Sequence, residues 1–169
     1  MVFNGESRMQ DLAIIEADLD NPQHQDAIVA MISAYAHDPM GAGQGLSDQV
    51  RRDLIHGLCN HPTSLIFLAF HGAAPVGIAV CFLGFSTFAA RSLINIHDLA
   101  VIPAYRQRGV GRRLLQGVEV KGRALGCGKL TLEVREDNQV AQRLYRNVGF
   151  DGLESDGGRP RMWFLEKCL

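Results

Sequence analysis

Between Val101 and Gly111 the chain reads Val-Ile-Pro-Ala-Tyr-Arg-Gln-Arg-Gly-Val-Gly, and no other stretch restricts the fold as strongly. It comes after an apolar, strand-like run from Ile94 to Val101. It leads into residues 112–125, where Leu114, Leu115, Val118 and Leu125 recur at helical spacing. A strand-to-helix loop of this kind leaves the first amide N–H groups of the helix without partners, and the helix dipole adds positive potential at the same place. Gly109 and Gly111 allow backbone to approach a ligand without a side chain in the way. Arg106, Arg108, Arg112 and Arg113 add charge suited to phosphate oxygens. With Gln107 and Val110 supplying further amides, the stretch reads as a nest for a pyrophosphate.

Two better-known phosphate motifs do not fit. A P-loop requires Gly-x-x-x-x-Gly-Lys-Ser/Thr, a string that is absent. A dinucleotide fingerprint requires Gly or Ala three residues after its second Gly; here that position is Leu114, and the region lies too late to be a first βαβ unit.

The remaining elements can be read around this loop. Leu12–Ile15 is a short strand. Asn21-Pro22 opens a helix by cap and first-turn chemistry, with Ile28, Met31, Ile32 and Tyr35 as its apolar face. His37 to Gly45 is a glycine-rich loop, and Ser47 caps a second helix whose inner face is Val50, Leu54 and Leu58. Ser64–Phe70 and Val76–Phe82 form a hairpin, and a looser stretch precedes Ile94. Lys129–Val134 is a strand, Asn138–Val148 a helix ended by Gly149, and Phe150–Leu153 and Met162–Glu166 close the sheet. The order predicts a single α/β domain over 1–169: a mixed, mostly antiparallel central sheet with helices on both faces. Residues 1–10 are expected to be a disordered tail, and Met9 is a second candidate start.

Composition narrows the function classes. With 17 basic and 18 acidic residues the net charge is −1, which argues against a nucleic-acid or anionic-membrane partner. No apolar run approaches the roughly 20 residues of a membrane span, and no secretion signal is visible. Cys59, Cys81, Cys127 and Cys168 have neither Cys-x-x-Cys nor zinc-ligand spacing, so no metal site is expected and a reducing cytoplasm is. His24, His56 and His61 read as solvated surface histidines.

Arg106-x-x-Gly109-x-Gly111, after a strand with a Val-x-Pro exit, resembles the acetyl-coenzyme A motif of the Gcn5-related N-acetyltransferase (GNAT) family. Asn138, Ala141, Leu144, Tyr145, Gly149 and Phe150 match that family's second signature, Asn-x-x-Ala-x-x-Leu-Tyr-x-x-x-Gly-Phe, in order and at normal separation. The resemblance runs from the first helix to the last strand. It implies the GNAT fold, acetyl-CoA as co-substrate held by residues 106–112 and Asn138, and transfer of the acetyl group to a primary amine of a small molecule by direct attack. It also implies backbone groups of Leu99 and Val101 that pair with the pantetheine arm like an added strand. A homodimer is expected by the same resemblance.

Amine attack on a thioester needs a free lone pair, a donor to the developing oxyanion and a proton for the departing thiolate. Tyr145, seven residues after Asn138 and so on the same helical face, is the candidate proton donor, since the resemblance places its hydroxyl near the CoA sulfur. Phe85-Ser86-Thr87-Phe88 followed by His97-Asp98-Leu99 looks most like the spermidine/spermine and thialysine branch, where a glutamate usually matches His97. Imidazole, titrating near about 6.5 in ordinary surroundings, can take the amine's proton but does not attract a polyamine as glutamate does. Asp98 reads as orienting the surroundings of His97, holding the substrate ammonium or bonding backbone. His37 and Asp38, in the loop that covers the site in relatives, are candidate acceptor contacts. Two other readings stand beside this one: a non-catalytic CoA-binding regulator, and an acetyltransferase acting on proteins or peptides.

Overall fold

The computed structural model describes residues 11–151. Five strands form one sheet in the order of the chain: β1 (Leu12–Glu16), β2 (Ser64–His71), β3 (Ala74–Ser86), β4 (Arg91–Val101) and β5 (Lys129–Leu132). The first four pair antiparallel, and β5 runs parallel to β4. That parallel pair is joined through α3 (Val110–Ala124), because a parallel connection must cross a face of the sheet. The expected strands Phe150–Leu153 and Met162–Glu166 fall outside the described residues, except Phe150 and Asp151, which lie in no strand. The tail expected at 1–10 also falls outside them.

Alternation along β2 shows why both faces are covered. Ile66 and Leu68 turn to one side, where they meet Ala27, Ile28 and Met31 of α1 (Pro22–His37) and Leu58 of α2 (Asp48–Asn60). Phe67 and Ala69 turn to the other, against Val110, Leu114, Leu115 and Val118 of α3 and Tyr145 of α4 (Gln139–Asn147). Strands buried on both faces carry runs of apolar residues in place of strict alternation, as Ile66 to Ala69 do.

Local caps set the helix starts. The side chain of Asn21 accepts from the Gln23 amide with Pro22 following, and that of Ser47 accepts from the Val50 amide. Two apolar positions depart from expectation. Val50 is exposed, and α2 presents Leu54, Ile55 and Leu58 inward; Leu125 is exposed because α3 ends at Ala124 and the chain turns out at Gly126. Most of the stretch read as loose, 83–93, is paired, with 87–90 as the turn. β3 and β4 continue as a hairpin through Ser86 and Arg91, beyond the helices, leaving Phe85 and Phe88 exposed.

Two features of β4 position the site. Val80 faces Asp98 and Cys81 faces Ile96, so His97 is an extra residue, a β-bulge that re-aims the rest of the strand. Parallel pairing with β5 ends at Ile96 and Leu132, so residues 97–101 have no strand on that side among the described residues. No helix among the described residues is long and apolar enough to cross a membrane.

Leu114 is fully buried where α3 meets the sheet. Replacing it with alanine is expected to cost about 2–5 kcal/mol, read as a lower urea midpoint at unchanged m-value. A loss below about 0.5 kcal/mol would contradict this packing.

Candidate active site

Beyond Ile96 and Leu132 the two parallel strands part, and the gap opens into a cavity of about 590 Å³. Its walls come from α1, the end of β4, the loop and first turn of α3, the β5–α4 connection and α4. A volume of this size suits a small ligand or one arm of a larger one.

The loop after β4, read from the sequence as a pyrophosphate nest, has an unusual backbone. A short 3₁₀ turn, Pro103–Tyr105, comes directly after the strand. Gln107 then takes a left-handed conformation (φ 58°), as does the α3 N-cap Gly109 (φ 83°), where any Cβ would be strained. None of the six amide N–H groups from Gln107 to Arg112 has an acceptor among the described residues; the first to find one is Arg113, on the Gly109 carbonyl at 3.0 Å. Consecutive free donors at a helix N-terminus are an arrangement whose chemistry suits an anion.

The edge of β4 is open in the same way. Ile102 donates to the Val76 carbonyl at 3.1 Å, and Val101 stands opposite Gly77. Val101 and, two residues back, Leu99 therefore hold non-hydrogen-bonded positions, with their peptide groups turned away from β3 toward the gap. One of those acceptors is engaged, since Arg106 Nε donates to the Val101 carbonyl at 2.9 Å.

The second signature is a helix ending. Phe150 N–H bonds the Tyr145 carbonyl (2.9 Å), Gly149 N–H bonds that of Arg146 (3.1 Å), and Gly149 has φ 95°. That is a Schellman motif, with the aromatic rings of Tyr145 and Phe150 in edge contact at 5.8 Å. Asn138 is the N-cap, its Oδ1 accepting from Ala141 N at 3.1 Å. Capped at both ends, the helix presents Tyr145 to the cavity. The two signatures touch: a Cβ on Gly111 would stand 3.0 Å from Leu144 Cδ2, so glycine there lets α3 and α4 close together.

Tyr145 is 6% exposed, and burial, reinforced by the neighbouring Tyr35, pushes its phenol up to about 12. It therefore stays protonated and able to donate throughout the neutral range. Tyr35 is raised as well, by burial first and then by Asp98 and Asp38. Asp98 is raised by burial, opposed by His97. His97 is exposed on the rim, its ring in edge contact with Phe82 at 5.7 Å.

Of the residues expected to be catalytic, cofactor-binding or acceptor-binding, all but three line the cavity, and Arg113, read only as nearby positive charge, lies outside it. Arg108 lies outside it, its guanidinium over the Tyr105 ring at 5.6 Å. His37 also lies outside, with Nδ1 bonded to the Ser33 carbonyl at 2.8 Å and its ring against Gly45. Asp98 is not part of the wall, and its carboxyl is close enough to Tyr35 and Cys81 to raise both. Asp38 does line the wall, but with both oxygens engaged: Oδ1 accepts from Met40 N at 2.9 Å, and Oδ2 pairs with Arg106. The Arg106 hydrogen bond holds the Asp38 carboxyl below the ordinary range, so the pair persists at neutral pH and dissolves only as acid protonates the aspartate.

Three residues in or behind the wall carry no role in the sequence reading. Tyr35 enters it only as part of an apolar helix face, yet it lines the cavity. Glu133, just past β5, lines the gap and accepts from Asn95 Nδ2 at 3.4 Å. Gln142 is buried and its Nε2 bonds the carbonyls of Arg135 and Glu136 at 3.0 and 2.9 Å, fixing the loop into α4. A signal for Gln142 exists: it is a polar residue on the inward stripe 138, 141, 142, 145.

Comparison with known proteins agrees with this geometry. The profile of the acetyltransferase (GNAT) family matches residues 28–150. The chain belongs to the GNAT family. N-alpha-acetyltransferase RimI of Mycobacterium tuberculosis is 43% identical over 81 residues, covering 47% of this chain and 49% of RimI. Thialysine N-epsilon-acetyltransferase of Caenorhabditis elegans is 25% identical over 149 residues, covering 85% of this chain and 84% of its own. An uncharacterised Mycobacterium leprae protein, 51% identical over 72 residues (41% of this chain), is spanned over only 18% of its length. Among solved structures, aminoglycoside N-acetyltransferase AAC(6')-Iy in complex with CoA superposes with a TM-score of 0.71 at 17% identity, covering 93% of this chain and 95% of that one.

Replacing Tyr145 with phenylalanine should leave the ultraviolet phenolate titration of the folded protein unchanged below about pH 10.5, with the lost signal near pH 12. A phenolate lost with Tyr145 near pH 10 would contradict the burial assigned to it.

Proposed function

We propose that this domain transfers the acetyl group of acetyl-CoA to a primary amine of a small molecule, by direct attack of the amine on the thioester. The observation that carries the reading is the run of six free amides from Gln107 to Arg112, whose residues other than Arg108 line the same cavity as the buried phenol of Tyr145. Acetyl-CoA fits what the chain leaves open: an anion nest at one end, an unpaired strand edge beside it and a protonated donor across the gap.

Each residue's role comes from its chemistry. Amides 107–112, with Arg112 beside them, take the diphosphate; Leu99 and the Val101 N–H line the extended arm. Bound acetyl-CoA supplies the thioester. A free N–H on the open edge of β4 stabilises the oxyanion as the amine adds. His97, on the rim, takes the proton that the attacking ammonium must lose, and Glu133 faces the acceptor with a carboxylate that favours a cation. Tyr145 gives its proton to the thiolate as the carbon–sulfur bond breaks. Asn138 acts by capping the helix that carries Tyr145.

Tyr35, Asp38 and Met40 wall the acceptor side, which favours a small amine over an extended peptide. The similarity to thialysine N-epsilon-acetyltransferase along most of the chain supports the same class. RimI-like similarity over about half the chain favours a second acceptor, a peptide N-terminus. A cytoplasmic homodimer completes the proposal, with Cys59, Cys81 and Cys127 as free thiols and the dimer open to sedimentation analysis.

The test is thiol release from acetyl-CoA across a panel of amines and N-terminal peptides, for the wild type and for Tyr145→Phe. We expect turnover with a small primary amine, and a loss in kcat of about 10²-fold in the variant with little change in KM for acetyl-CoA. Turnover restricted to peptides would select the second acceptor. Equal kcat in Tyr145→Phe would remove Tyr145 from the chemistry, and absence of CoA binding at millimolar concentration would remove the reading itself.

A further inference from the structure

We propose that Asp38 is a positioning residue: through Arg106 it ties the acceptor-side wall to the loop that takes the diphosphate, so that filling one stiffens the other. The inference rests on the acetyl-CoA reading above and concerns how the two halves of that site communicate.

Asp38 organises the chain that leaves α1. Its amide donates to the Tyr35 carbonyl (3.0 Å), its Oδ1 accepts from Met40 N (2.9 Å), and its carbonyl accepts from Gly41 N (2.9 Å) and Gly43 N (3.2 Å). Farther along, Gln44 N bonds the Ala36 carbonyl at 3.0 Å. The loop over residues 38–44 is thus wound about one aspartate and the end of one helix. Its inner side, with Tyr35 and Met40, faces the cavity.

The remaining oxygen of that aspartate leaves the loop. Oδ2 pairs with an Nη of Arg106, a residue 68 positions later in the chain. The same guanidinium donates through Nε to the Val101 carbonyl at 2.9 Å. One planar fork therefore spans two elements, and a lysine could not hold both acceptors in that geometry. The run of free amides begins at the very next residue, Gln107. Asp38 is 12% exposed and Arg106 46%, so this pair is more enclosed than the freely solvated kind that contributes little.

The consequence is thermodynamic. Residues 107–112 order when their amides gain an anion, and Arg106 transmits that order to residues 38–44. Coupling of this kind is reciprocal, so an ordered acceptor wall also favours the nucleotide. Each Asp38 oxygen already accepts one bond, Oδ1 from Met40 N and Oδ2 from Arg106, so the side chain is held in place and acts on the loop through Arg106.

Hydrogen exchange on the full chain, with and without saturating CoA, tests this in the wild type, Asp38→Asn and Arg106→Lys. In the wild type CoA should slow exchange several-fold both at 107–115 and at 39–44. In each variant protection at 107–115 should persist while 39–44 exchange alike with and without CoA. By calorimetry, Asp38→Asn should weaken CoA about fivefold and add no further loss in the Arg106→Lys background. Protection of 39–44 retained in the variants, or absent in a wild type that protects 107–115, would overturn the proposal. Additive losses in affinity would overturn it too. Absence of protection at 107–115 in the wild type would instead strike the CoA reading, and the latch with it.

Discussion

β4 pairs with β5 as far as Ile96 and Leu132 and then stands alone, and the rest of the site depends on that early parting. Paired to the end, β4 would have spent the peptide groups of Leu99 and Val101 on a neighbouring strand. Unpaired, they edge a gap that α3 and α4 close from one side and α1 from the other. Edge backbone within a fold needs a use or a cover, because an amide kept from water without a partner is costly. Here part of the cover is internal, since Arg106 takes the Val101 carbonyl. The remainder is what a ligand can claim.

The same constraint governs the loop after β4. Gln107 and Gly109, both with positive φ, turn the backbone into the helix start with its N–H groups unpaired, and α3 adds its dipole behind them. Gly111 then brings Leu144 against the helix start, so the nest and the helix carrying Tyr145 are packed together. The His97 bulge completes the geometry by shifting parity: Ile96 and Leu99, three apart, both pack with the α3-side core. The free amides, the open edge and the buried Tyr145 phenol are thus held by packing among β4, α3 and α4.

Much of this is legible in the sequence because it is local. Asn21-Pro22, Ser47 and Gly149 announce helix ends through bonds spanning five residues or fewer, and the structure places each where the chain chemistry puts it. The unpaired amides arise from a glycine-rich helix start in the same way. The hidden parts depend on distant partners. The length of the β3–β4 hairpin rests on pairing between 83–86 and 91–94, residues whose own pattern is weak. Val50 and Ile55 are equally apolar in sequence, and only the packing of α2 decides which turns inward. Asp38, a candidate acceptor contact, lines the cavity and also pairs with Arg106, which no local pattern could reveal, and His37 next to it lies outside the wall, bonded to the Ser33 carbonyl. Tyr35 and Glu133 enter the site only once α1 and the end of β5 converge on it.

The amides of residues 107–112 are the diphosphate's partners in this account, and everything else in the site is arranged around them. Amide-resolved nuclear magnetic resonance during a titration with CoA observes them directly. The N–H protons from Gln107 to Arg112 should move downfield together as they gain charged acceptors, while those of β1 and β2 stay in place. CoA binding that leaves those six resonances unmoved would contradict the account.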